Sequence, residues 1–533
     1  MSDDVDTLIP EPPRRAVVTA LNVAWAASRL PAVRRFHAAS RAPERAQAAW
    51  LRDFLRANAG TAYGRAHHYG DITSPADFRR RVPVSTWDVV APWVTRLESG
   101  EREVLTTEPV KLLERTSGSS SGPKHIPYTA GLLADFGAAT APWLDDLFLA
   151  HPRLFTLRQY WSVSPAARPP EVTRGGVRVG LEDDTEYFDP ATRWAMKRLM
   201  ALDGRAARLR SLDAWRDVTL RALVACEDLG LVSIWNPSFL TLLMEQLEAR
   251  WPEVQAWLSP ERRDAVARRL DAAHGFVGEA LWPGLQLISC WTDAWAARAL
   301  PGLRRYFPKT PLQGKGLLAT EGVVTFPLSG LAAPVAAVTS HFLEFEALDD
   351  DGRPARFVHE LKPGARYAPL LTTRGGLARY RLPDVVRCVG HFRALPLLRF
   401  EGRLDQSGDL RGEKLNAARA EAAVHAACDG TPVVFSFLAP SLAAEPPRYV
   451  LHLESPADDA ALAQVAARVE ARLCEDLHYR YCRDLGQLGP VEARRTTDGH
   501  RRWLSAHLAR GTKLGDVKPQ GFDPRPEWDD VFA

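Results

Sequence analysis

The sequence predicts an α/β protein of two domains, and three observations predict it. From about residue 105 to 395, short β-type runs alternate with helical ones, the pattern of strands interleaved with helices. Near residue 400 the chain turns glycine- and charge-rich ("RFEGRLDQSGDLRGEKLN") before a further set of strands and a helix, which reads as a hinge. The full length of 533 residues is also too great for one ordinary core. The expected division is a large N-terminal domain over 1–401, a hinge over 402–408 and a small mobile C-terminal α/β domain over 409–533.

Taken in order, the first element is "AVVTALNVAWAAS", preceded by Arg14-Arg15. It has the outline of a secretion signal, but four acids lie upstream, and Thr19, Asn22 and Ser28 interrupt the apolar run. Val17, Leu21, Ala24 and Trp25 recur at helical spacing, so an amphipathic packing helix is expected. Further along, "VSIWNPSFLTLLMEQLEARW" shows the α/β unit. Val232–Trp235 reads as a buried strand, Asn236 as a helix cap, and Pro237 as the first helical residue. Phe239, Leu240, Leu243, Met244 and Leu247 then form an apolar face. "LQLISCW" (285–291) and "AAPVAAVTS" (332–340) are expected as strands. Past the hinge come a Val433–Leu438 strand, the alternating "RYVLHLE", and a helix with Leu462, Val465, Ala466, Val469 and Leu473 on one face.

Composition narrows the function. Hydrophobic residues make up 46% and charged residues 25%, with a net charge of +3, the balance of a globular protein without the concentrated basic surface that nucleic acid needs. Arg79-Arg80-Arg81 and Arg494-Arg495 read as solvated faces. Six scattered cysteines with no CxxC pair suggest reduced thiols and a cytoplasmic protein. No uninterrupted apolar run approaches the ~18 residues that span a bilayer, so no membrane partner is expected.

One stretch stands apart. "RTSGSSSGPKHIPYT" (115–129) gathers hydroxyls and glycines around Lys124. It is either a solvated linker or a cradle whose backbone N–H groups, hydroxyls and lysine converge on phosphate. It is not a Walker loop: Pro123 separates Gly122 from Lys124, His125 stands where Ser or Thr would meet magnesium, and "HIPYT" reads as extended. Three later segments keep it company: "LLATEG" (317–322), "LARYRLPDVVRC" (377–388) and "EGRLDQSGDLRGEKL" (401–415). In order, the four resemble the nucleotide motifs of adenylate-forming enzymes. Within that superfamily the chain resembles the Gretchen Hagen family of acyl-acid amido synthetases from about residue 45 onward, through "TAYGR", "WNPSFL", "LISCW", "QGKGLLATEGVVTFPL", "SHFLEF", "RYRLPDVV" and "GEKL".

The resemblance implies an ATP- and magnesium-dependent ligase that makes an acyl-AMP from a carboxylic acid and passes the acyl group to an amino acid's amine. A thiol acceptor such as coenzyme A, or a non-catalytic nucleotide binder, are the alternatives. It implies that Thr116, Ser117, Gly118, Ser119, Ser120, Ser121, Gly122 and Lys124 lie over the ATP phosphates. Thr320 would meet the α-phosphate and Glu321 would ligate Mg2+, which favours hard oxygen donors. Asp384 would accept from the ribose hydroxyls, with Arg381, Arg403 and Lys414 around the nucleotide or hinge. Lys518 would be the C-terminal catalytic lysine, with Lys513 as the alternative. Trp161, Trp235, Phe239 and Trp291 either line an aromatic-acid pocket or are plain core. A monomer or weak dimer is expected, with small-molecule acid and amine as partners. Two residues depart from the family pattern: Leu317 stands where plant members carry tyrosine, and Pro383 replaces the glycine before the aspartate, fixing φ near about −65° and removing an N–H.

Overall fold

The computed structural model describes residues 5–116, 124–162, 171–180, 190–209, 211–349, 353–404, 407–512, 514, 517–518 and 520–532. The chain divides into two compact units. One comprises 1–293, 297–382 and 386–400; the other comprises 294–296, 383–385 and 401–533.

The N-terminal unit holds three principal sheets. The first is parallel, in the order Arg158–Trp161, Leu229–Ser233, Leu287–Cys290, Leu312–Gly314. Its two central strands, Leu229–Ser233 and Leu287–Cys290, are buried on both faces and read as largely apolar runs for that reason. The helix that follows its second strand, Pro237–Ala249, starts where the sequence predicts: the Asn236 side chain accepts from the Ser238 N–H. The second sheet pairs Leu112–Arg115 antiparallel with His125–Tyr128 and parallel with Arg178–Val179. The third has eight strands, with Leu395–Arg403, Asp384–Phe392 and Arg366–Thr372 side by side at its centre and Phe342–Ala347 next to the last of them. "AAPVAAVTS" forms strand only at Val335–Ala336; Pro334 precedes the pair, and the chain turns at once into the 338–341 corner that carries His341.

The first helix, Arg15–Ala39, packs against the long helix Ala130–Ala150. Its buried face is Val18, Asn22, Trp25, Arg29, Val33 and Phe36, whereas Val17 is exposed. The expected face is therefore displaced by one residue. Asn22 sets it, because its amide donates to the carbonyls of Leu154, Phe155 and Leu157, and buried amides must find such partners. The helix is long and apolar enough to cross a membrane by length and composition, which counting uninterrupted apolar runs does not reveal.

In the C-terminal unit a three-stranded sheet runs Phe435–Ser441, Arg448–Glu454, Glu492–Arg495. Strand alternation splits its two faces. Leu438, Tyr449, Leu451 and Leu453 pack on helices Ala417–Cys428 and Asp459–Leu473. Phe437 and Ala439 pack with Trp503, Val517, Trp528 and Phe532. All six cysteines are free thiols.

Candidate active site

The serine-rich stretch falls between two strands that pair antiparallel. Its flanking strands pair from Leu112 with Tyr128 to Arg115 with His125, and above them the Thr116 N–H donates to the Lys124 carbonyl at 3.0 Å. Lys124 is half-buried at the mouth. Ser117, Gly118, Ser119, Ser120, Ser121 and Gly122 lie outside the described residues. The base is braced on both sides: Arg115 pairs with Glu171, and His125 Nδ1 lies 2.6 Å from Glu98 Oε1. A strand follows Lys124, not a helix, and only then does Thr129 cap the helix Ala130–Ala150 by accepting from the Leu132 N–H.

Thr320 and Glu321 are the two turn residues of a second hairpin, Leu318–Ala319 with Gly322–Val323. The Tyr128 hydroxyl donates to the Thr320 carbonyl at 2.7 Å, so the strand leaving the serine loop holds the turn that carries Glu321. From beneath, the Val323 N–H donates to His341 Nε2 at 3.0 Å. That bond assigns the imidazole proton to Nδ1, which is buried and has no hydrogen-bond partner among the described residues. Burial, then the positive charge of Arg374, pushes His341 down to about 3, so it stays neutral. A Cβ at residue 322 would stand 2.9 Å from His341 Nε2; Gly322 is what lets the ring sit this close. Glu321 itself is buried, at 7% exposure. Leu317 lies at the root of the hairpin, its N–H on Thr325 Oγ1 and its carbonyl on the Val324 N–H.

Arg381 is engaged with Glu346, Nη2 to Oε2 at 2.7 Å, and its N–H donates to the Ser85 carbonyl. Two residues earlier, Arg379 takes a φ of +48° and its guanidinium forms a buried pair with Glu344 at 2.9 Å. It also donates to the carbonyls of Arg79 and Val82.

Aromatic residues gather at the carboxyl ends of the parallel strands. Trp161 is the last residue of one strand, while Trp235 and Trp291 lie just past the ends of the next two, their rings 5.8 Å apart. Trp143, on the helix Ala130–Ala150, lies 6.2 Å from Trp161 and donates to Gln313 Oε1 at 2.7 Å. Between Trp143 and Trp235 sits the ammonium of Lys315. Phe239 packs instead against Trp215 of the helix Leu212–Ala225.

In the C-terminal unit, Asp384 is buried at 5% exposure and lies 3.9 Å from Arg403 Nη1. The Leu404 N–H donates to the Pro383 carbonyl at 2.6 Å. Pro383 lies in a bend immediately before the strand that Asp384 opens. Lys414 is exposed at a φ of +46°. The adjoining Glu413 is buried, and its carboxylate accepts from the N–H groups of Leu410 and Arg411 and from the Tyr449 hydroxyl. Lys518 is exposed beside the fully buried Val517; Lys513 and Asp405 lie outside the described residues. Tyr128, Lys315, His341 and Glu413 carry much of this geometry. Each lies within a quoted motif, yet none is marked by its letter as buried and bonded.

Comparison with known proteins gives three matches to one family: its GH3 family N-terminal domain over 32–256, its central domain over 335–403 and its C-terminal domain over 418–522. The chain is similar to a probable indole-3-acetic acid-amido synthetase, GH3.4, of Oryza sativa subsp. japonica, at 26% identity over 89% of this chain and 85% of that one. It is also similar to the jasmonoyl–L-amino acid synthetase JAR6 of Nicotiana attenuata, at 23% identity over 89% of this chain and 89% of that one. Among solved structures, the GH3.15 acyl acid amido synthetase in complex with 2,4-DB superposes with a TM-score of 0.82 at 19% identity, covering 95% of this chain and 96% of that one.

Proposed function

The chain belongs to the GH3 family, and from that premise we propose that it is an acid–amino acid ligase that activates a carboxylic acid with ATP and transfers it to an amine. In the first half-reaction the acid's carboxylate oxygen attacks the α-phosphorus, forming the acyl-AMP and releasing pyrophosphate. In the second, the amine attacks the acyl carbonyl, the amide bond forms, and AMP leaves with the bonding electrons.

The observation that carries the reading is the bond from Tyr128 to the Thr320 carbonyl. It ties the strand leaving the serine loop to the turn of the second motif, two segments 192 residues apart in sequence. We assign the loop from Thr116 to Gly122, with Lys124, to the ATP phosphates, and Thr320 to the α-phosphate. Donors fixed in advance where negative charge builds are the strongest lever such a site has. Glu321 suits a magnesium ion. No group of three or more His, Cys, Asp or Glu side chains poised for a metal occurs among the described residues, and one carboxylate with substrate phosphates is how Mg2+ is commonly held. Bound there, the ion would screen the phosphate charge. We assign Asp384, supported by Arg403, to the ribose hydroxyls, Lys414 to the nucleotide and Lys518 to the reacting carboxylate. Arg381 reaches the nucleotide only by loosening its pair with Glu346. Trp161, Trp235 and Trp291 form the acid pocket, whereas Phe239 is core. Free thiols, five of them buried, suit the reducing cytoplasm to which we assign the enzyme.

The test is product analysis by mass spectrometry with ATP, Mg2+, a panel of acids, and either mixed amino acids or coenzyme A. Amides with amino acids support the proposal. Thioesters without amides would overturn the choice of acceptor, and ATP binding without either product would overturn the ligase.

A further inference from the structure

We propose that Lys315 reads an anionic group in the acid pocket, so that the acid activated here is a dianion: a second carboxylate, set across a flat apolar body from the carboxyl that reacts. The inference rests on the ligase reading above and adds to it a class of substrate.

Ligands of parallel α/β sheets bind outside the carboxyl ends of the strands, and Lys315 directly follows the last residue of the fourth strand. The register sets Trp161 beside Ser233, Ser233 beside Ser289, and Ser289 beside Gln313. Alternation puts Lys315 on the same side as Gln313, which is the side facing Trp143.

Indole faces and a hydroxyl surround the ammonium. Lys315 is buried, its Nζ donates to Ser233 Oγ at 2.9 Å, and it lies 5.0 Å and 4.8 Å from the rings of Trp143 and Trp235. No Asp or Glu among the described residues pairs with it; the one titratable group acting on it is the Cys290 thiol. Lysines are seldom buried without a partner. Indole faces favour a cation but leave N–H donors unspent. Ser289, next to Ser233 in the sheet, is fully buried and its hydroxyl has no partner among the described residues. A cation and a spare hydroxyl below indole faces can hold a carboxylate, and the same faces can hold the flat body that carries it.

The two ends of the site have separate supports. The Thr320–Glu321 turn is fixed by Tyr128 of the antiparallel sheet. The Lys315 ammonium is fixed by Ser233 on the parallel sheet and by Trp235 just past it. The two ends of the site thus rest on different sheets. Burial also brings the Lys315 ammonium down to about 7, so an arriving carboxylate would help hold its proton in place.

The test titrates the full chain, without ATP, with matched acids: benzoate against terephthalate, phenylacetate against 4-carboxyphenylacetate, and hexanoate against adipate. Tryptophan fluorescence reports binding, because four indoles line the site. In at least one pair the diacid is expected to bind tenfold or more tighter, and in Lys315→Met that preference should fall within twofold of parity while ATP binding is unchanged. Lys315→Gln serves as a second variant that keeps a polar group at the position. No diacid preference in any pair, or a preference that survives both variants, would overturn the inference. Pyrophosphate exchange run in parallel reads the ligase separately. Exchange without diacid preference removes this inference and leaves the ligase; diacid binding through Lys315 without exchange does the reverse.

Discussion

In the N-terminal unit, the turn bearing Thr320 and Glu321 is two residues long, and its hairpin is held by side chains from outside it, 192 and 18 residues from their partners. Tyr128 holds it from above and His341 from beneath. In the C-terminal unit, the turn bearing Lys414 is held largely by its own residues: Glu413 gathers the Leu410 and Arg411 N–H groups, and Asp409 accepts from Gly412. The first arrangement buries its chemical group, as the proposed role beside a metal and phosphates requires. The second displays its lysine to solvent. A buried group needs several distant supports, so its geometry depends on the whole unit being folded; a displayed one can be organised locally.

The comparison can be broken most sharply at Glu321. Glu321→Gln keeps shape and volume but removes the charge, and acid-dependent pyrophosphate exchange should fall ~10³-fold, the upper range for one electrostatic group, with melting little changed. Glu413→Gln is next. It replaces a carboxylate that collects three donors by an amide whose NH2 cannot accept, and should destabilise the C-terminal unit by about 2–4 kcal/mol, read in urea unfolding. His341→Phe should cost about 1–3 kcal/mol by leaving the Val323 N–H buried and unpaired. It should also flatten the acid limb of the stability profile. The imidazole titrates near 3 when folded against about 6.5 when unfolded, so the unfolded chain takes up its proton first as pH falls between those values. Wild-type stability therefore drops across that window, and the variant lacks this contribution.

Lys315→Met should act with the opposite sign. The folded ammonium titrates near 7 against an ordinary 10.5, so wild-type stability from this group falls as pH is lowered from 10.5 toward 7. The variant should be more stable at neutral pH by about 1–3 kcal/mol, a measure of the stability given up for a binding group. Pro383→Gly sharpens the account least: activity should be near normal and stability lower by about 1 kcal/mol or less, because glycine keeps the carbonyl that accepts from Leu404 and only widens the freedom of the unfolded chain. A large loss of exchange would show that the proline aims Asp384.

The fold was legible wherever burial followed a simple period. The strand Leu287–Cys290, the helix opened by Asn236 and Pro237, and the alternating Arg448–Glu454 all lie where apolar spacing places them, whereas the strand expected at Val232–Trp235 runs over Leu229–Ser233 instead. The first helix was legible as a helix, but its buried face was not: the one-residue displacement follows from Asn22 reaching three carbonyls 132 to 135 residues away. Of the site, the ordered motifs pointed to the segments. They did not point to Tyr128, His341 or Lys315, because what those residues do depends on partners in other elements, 192, 18 and 82 residues away in sequence, and no local pattern encodes such a partner.

The most direct measurement is ATP–pyrophosphate exchange across mono- and dicarboxylic acids, with Glu321→Gln beside the wild type. Exchange that requires an acid and collapses in the variant is the predicted result. Exchange that needs no acid, or that survives intact without the Glu321 carboxylate, would contradict the account.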